Sequence, residues 1–178
     1  DGGNVIRSRT KAILTDKIFE ENPAYDSRKL IEQIESLLEL QVVTIPYLKS
    51  DIIGHADGYV RFLDENIVLI NEMANEDAEY SFRLKKQLTE AKLSFIEIPY
   101  NPYKNKNNLD ATGLYINYLQ MKDIIFLPVF ELKEDDICLK QFGQLFPKTQ
   151  IVPVKSNAIA KDGGVLNCIS WNIQRSKS

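Results

Sequence analysis

With 178 residues, 44% of them hydrophobic and 26% charged, the chain has an ordinary globular composition and enough length to bury a sizeable core. A formal net charge of −3 and the lack of a dense Lys/Arg cluster argue against a nucleic-acid surface. No apolar run approaches the roughly 20 residues that span a bilayer, and Cys138 and Cys168 make neither a disulfide framework nor a zinc cluster.

The chain opens on Asp1-Gly2-Gly3-Asn4, with neither Met nor a signal peptide, and reads as part of a longer protein. Asn4 to Ser8 is a short strand candidate, and Thr10 to Asp16 a second. After Asn22-Pro23, Asp26 or Ser27 caps a helix whose apolar stripe of Leu30, Ile31, Ile34, Leu37 and Leu38 faces a core. Gln41 to Ile45 is a third strand, stopped by Pro46.

The order then recurs. Gly58 to Leu63 and Ile67 to Ile70 are strands. Acidic Glu76, Asp77 and Glu79 favour the start of a helix that buries Tyr80, Leu84, Leu88 and Ala91. Ser94 to Ile98 is the closing strand, stopped by Pro99. Beyond a polar loop from Asn101 to Asp110, Leu114 to Leu119 and Ile124 to Val129 are strands. Glu134, Asp135 and Asp136 open a helix carrying Ile137, Phe142, Leu145 and Phe146, and Gln150 to Val152 ends at Pro153. A further round begins at Asp162-Gly163-Gly164 and runs to Trp171. Strand-strand-helix-strand repeated about every 55 residues signals a propeller or solenoid, with modules at about 1–50, 51–105 and 106–156 and the start of another at 157–178.

Chemistry concentrates in Gly54-His55-Ala56-Asp57-Gly58, which holds the sole histidine beside a carboxylate between two glycines. In a radial repeat, equivalent positions converge on the axis, which would bring Asp1, His55, Asp57 and Cys168 into one cavity. That set suits thiol chemistry, because a nucleophilic thiol needs a base or a lowered pKa and a histidine base needs a carboxylate to orient it. Asp57 could equally hold a cationic substrate. The bland alternatives are a solvated loop around His55, a terminal turn residue at Asp1, and a small core residue in an apolar strand for Cys168. Cys138, beside Ile137 and Leu139 on a helix, reads as core.

With these residues the sequence resembles the agmatine deiminase and Porphyromonas-type peptidylarginine deiminase family of guanidino-group-modifying enzymes. The motifs are Asp1-Gly2-Gly3-Asn4, Gly54-His55-Ala56-Asp57, Tyr115-Ile116-Asn117-Tyr118 and Gly163-Gly164-Val165-Leu166-Asn167-Cys168-Ile169-Ser170, in that order. Asn167 stands where the family has His, and Asp1 where it usually has Glu. The resemblance implies an α/β fold of strand-strand-helix-strand modules, the five-fold α/β-propeller (pentein). This chain would be an incomplete, C-terminal part forming a single partial catalytic domain, inactive or nearly so by itself, with strand edges that favour homo-oligomers.

The activity implied is hydrolytic deimination of a guanidino group, agmatine to N-carbamoylputrescine first and peptidyl-arginine second. No metal or cofactor takes part. Cys168 would be the nucleophile, Asp57 the carboxylate that grips the guanidinium, His55 the general acid and then base, and Asp1 the residue that orients His55. An amidinotransferase or a non-catalytic binding domain are the competing classes. Acidity and the lack of a targeting segment suit the cytoplasm, with no nucleic-acid or membrane partner.

Overall fold

The computed structural model describes residues 2–101 and 109–171. They form three three-stranded sheets of one topology. The first contains β1 (Ile6–Arg7), β2 (Lys11–Thr15) and β3 (Gln41–Ile45), with α1 (Lys17–Glu21) and α2 (Ser27–Leu38) between its last two strands. The second contains β4 (Val60–Phe62), β5 (Ile67–Asn71) and β6 (Ser94–Ile98), with α3 (Ala78–Glu90) as the crossover. The third contains β7 (Leu119–Met121), β8 (Ile124–Val129) and β9 (Gln150–Lys155), with α4 (Glu134–Leu145) as the crossover and α5 (Asn157–Ala160) following. In each, the first pair is antiparallel and the second parallel. Parallel neighbours need such a long connection, and the helix supplies it.

Local signals explain the helix starts. Asp26 accepts from the Lys29 amide at 3.1 Å and Asp77 from the Tyr80 amide at 2.8 Å, so each carboxylate satisfies an orphan N–H. Asp135 in the first turn of α4 instead folds back on the Phe130 amide at 3.0 Å and the Leu132 amide at 3.2 Å. Neighbouring sheets interlock through side chains. Ile13, Val43 and Ile45 pack with Val68, Tyr80 and Leu84 in one cluster. Leu69 and Ile98, from the second sheet, pack with Tyr118, Ile125 and Phe142 in another. Cys138 is fully buried in the latter, as its apolar neighbours indicate.

Several expectations need correction. Asn4 lies in a short 3-10 turn (Gly2–Asn4), and the strand after it is only Ile6–Arg7. Leu37 is 82% exposed and Ile137 54%, so neither belongs to the buried stripe of its helix. Pro153 lies inside β9 rather than ending it; β9 is the edge of its sheet, where a missing N–H leaves no ladder bond unmade. Residues 114–118 form turns, not a strand, and β7 starts only at Leu119. Tyr115, Ile116 and Tyr118 are nonetheless buried, which gave that stretch the look of a strand. Likewise 162–171 contains turns and no strand.

These turns position the site. The 3-10 turn Gly2–Asn4 leads into β1, the 3-10 turn Ala56–Gly58 into β4, and 114–118 into β7. β1 touches β4, and the two 3-10 turns touch each other. Among the described residues, no helix is long and apolar enough to cross a membrane.

Candidate active site

Gly54 can sit before the histidine because its φ is +62°, and a Cβ there would meet Lys17 Cδ and Tyr47 Cδ2 at 2.9 Å. Lys17 Nζ ties the preceding loop down, donating to the carbonyls of Ile52 at 2.5 Å and Ile53 at 2.6 Å. Asn4 joins this turn to the first sheet. Its buried Oδ1 accepts from the Thr15 amide at 3.0 Å, the Thr15 hydroxyl at 2.9 Å and the Ala56 amide at 3.1 Å. The Thr15 hydroxyl also reaches the Gly54 carbonyl at 2.7 Å, so Asn4→Ala leaves the buried Thr15 and Ala56 amides without their acceptor and is expected to cost about 1–3 kcal/mol, read from urea denaturation. Unchanged stability would contradict this reading of Asn4.

His55 and Asp57 differ in backbone conformation. His55 is extended at φ −82°, ψ 143°, whereas Asp57 lies within the 3-10 turn, 8% exposed. They still line one cleft, of about 890 Å³, together with Gly3, Asn117, Asn167 and Cys168. Gly3 lies against the imidazole so closely that a Cβ would come 2.4 Å from Nδ1.

Asp57 and Cys168, 111 residues apart in sequence, meet directly: the Sγ–H donates to Asp57 Oδ2 at 3.4 Å. Asn167 Nδ2 donates to the same oxygen at 3.1 Å. Asn117, 1% exposed, organises the turn that carries the thiol. Its Oδ1 accepts from the amides of Asn167 at 3.1 Å and Cys168 at 3.3 Å, and its Nδ2 donates to Cys168 Sγ at 3.3 Å. Burial and then the Asp57 carboxylate push the Cys168 thiol above its ordinary value, while the Asn117 amide acts in the opposite sense. A cation placed at Asp57 would cancel its field and favour the thiolate. Cys168 thus forms no disulfide and lies in a turn at the cleft, its residue surface exposed while the sulfur is partly covered, and it is not in an apolar strand.

A model of the Porphyromonas-type peptidyl-arginine deiminase family matches residues 1–173. The chain belongs to that family. It resembles the agmatine deiminase of C. jejuni with a TM-score of 0.79 and 18% identity, over 94% of this chain and 53% of that one. An agmatine deiminase of Enterococcus faecalis gives a TM-score of 0.80 at 18% identity, over 94% and 55%. An amidinotransferase from Microseira wollei gives 0.64 at 14%, over 100% and 46%. These likenesses establish a shared α/β fold, and the chain spans about half the length of such relatives.

Of the four residues singled out in this family member, the structure brings His55, Asp57 and Cys168 to one cleft, and Asp1 lies outside the described residues. No group of three or more metal-ligating side chains occurs among the described residues. Sequence reasoning gave no role to Asn117 or Arg61. Each is a lone polar residue in an apolar stretch, Tyr115 to Leu119 and Val60 to Phe62, and that isolation is the signal that could have marked both. Gly164 is a further site residue: a Cβ on it would lie 2.7 Å from Cys168 Cβ and 3.0 Å from Sγ. Gly164→Ala is expected to lower kcat/KM by about a hundredfold through displacement of the thiol, with the melting temperature nearly unchanged. Full activity would show that the thiol position is not critical.

Proposed function

We propose that the protein hydrolyses a guanidino group to a ureido group and ammonia, with agmatine as substrate, on the modular α/β-propeller framework of the guanidino-modifying enzymes. The observation that carries this reading is the Cys168 Sγ to Asp57 Oδ2 contact of 3.4 Å in the cleft that His55 also lines. The Asp57 carboxylate receives two guanidinium N–H groups in charge-assisted hydrogen bonds. The bound cation favours the Cys168 thiolate, the thiol proton passes to His55, and the thiolate attacks the guanidinium carbon. His55 protonates the departing ammonia, leaving an amidino thioether on Cys168. His55 then takes a proton from water as the water attacks the same carbon, and the C–S bond breaks to release the ureido product and the thiolate. Asp1 orients His55 in this scheme.

The cleft supports agmatine over free arginine. Asp51, Asp57, Glu76, Asp77 and Asp110 line its described part, and this acidic lining favours the dicationic agmatine over a substrate that carries an α-carboxylate. An arginyl peptide, which lacks that free carboxylate, is the second substrate considered. The test follows ammonia and ureido product from agmatine, free arginine and an arginyl peptide in the longer protein of which this chain reads as a part, because the chain by itself is expected to be inactive or nearly so. Product from agmatine alone supports the reading. Product only from the peptide moves the assignment to peptidyl-arginine, and none from any of them overturns it.

A further inference from the structure

Arg61 sits on β4 between Val60 and Phe62, both of which pack into the first core cluster. Alternation along the strand sends its side chain the other way, toward 116–118 and the turn that bears the thiol. There its Nη1 donates to the Tyr118 carbonyl and lies 3.5 Å from both the Ile116 carbonyl and Asn167 Oδ1. The guanidinium carbon is 3.7 Å from the Tyr118 ring centroid, a stacking contact. Burial pulls its ionisation down from the ordinary arginine value, while Tyr118 and Asp57 oppose that change.

We infer that Arg61 is a positioning residue that sets the polarity of the Asn167 amide, and through it holds the Asp57 carboxylate in the orientation that receives an amidinium. Arginine only donates hydrogen bonds, and an ionised carboxylate only accepts them. The Asn167 amide between them has one acceptor end and one donor end, so one orientation satisfies all three groups. Oδ1 faces Arg61 at 3.5 Å, and Nδ2 faces Asp57 Oδ2 at 3.1 Å. Without Arg61 the amide can turn over, and its oxygen would then oppose the carboxylate.

This inference rests on the reading of Asp57 as the guanidinium-binding group. Its test uses two alkylating reagents of the same shape, 2-chloroacetamidine, which is cationic, and 2-chloroacetamide, which is neutral. The ratio of their rates at Cys168 measures how well Asp57 holds an amidinium. Arg61→Gln is expected to lower the ratio about tenfold, with Arg61→Lys between it and the wild type. In an Asn167→Ala background, replacing Arg61 should change the ratio by less than about twofold. A purely structural role in holding Ile116 and Tyr118 would persist in that background. An unchanged ratio in Arg61→Gln, or an equal loss with and without Asn167, overturns the inference alone. A wild type without any preference for the amidine overturns both this inference and the deiminase reading.

Discussion

Replacing Cys168 by Ser is expected to abolish ammonia release from agmatine, lowering kcat/KM by at least about a thousandfold. The two side chains differ by one atom, and the Asn117 and Asp57 contacts can be made by a hydroxyl, so the fold and the ligand site should survive. What disappears is a nucleophile that a bound cation can convert to its anion. A hydroxyl with Asp57 beside it has no such route, because its ordinary pKa lies far above that of a thiol. Agmatine binding, followed calorimetrically, should change little while turnover vanishes. Substantial activity in the Ser variant would contradict covalent catalysis at this position.

Asp57→Asn should lower the alkylation rate of 2-chloroacetamidine relative to that of 2-chloroacetamide. Burial first and then the carboxylate raise the Cys168 thiol above its ordinary value, so removing the carboxylate lowers the thiol's pKa and 2-chloroacetamide reacts faster. The same change removes the anion that attracts 2-chloroacetamidine, which therefore reacts more slowly relative to the neutral reagent. With agmatine, loss of the charge partner is expected to cost ~2–5 kcal/mol in kcat/KM. A general disruption of the site would slow both reagents together, and that outcome would contradict the assigned role.

The sheets were legible because their central strands are apolar on both faces. Ala12 to Thr15 and Val68 to Asn71 are continuously buried, and such runs bounded by turns and followed by amphipathic helices read directly as parallel-sheet units. Strands β3, β6 and β8 have the bounds their sequence indicated. The turns before β7 and around Cys168 were not legible. Burial in 114–118 comes from a loop packed under α4, and hydrophobicity alone cannot tell a buried turn from a strand. The exposure of Leu37 shows the reverse case, an apolar residue at helical spacing that stays on the surface.

Within the site, His55, Asp57 and Cys168 were marked by residue chemistry and by their places in the motifs. Asn117 and Arg61 act through geometry that forms only after distant segments meet. Asn117 reaches Cys168 across 51 residues, and Arg61 lies beside Asn167 across 106. A single sequence carries no spacing rule for such contacts.

The most direct measurement is the mass of the Cys168-containing peptide from the protein quenched in acid during turnover of agmatine. The mechanism proposed predicts an adduct on Cys168 equal to agmatine less ammonia, because the alkyl chain stays on the carbon while ammonia departs. An adduct of the amidino group alone would mean that the alkylamine leaves first, as in amidino transfer, and would contradict the deiminase assignment. Ureido product formed with Cys168 always unmodified would contradict the covalent route itself.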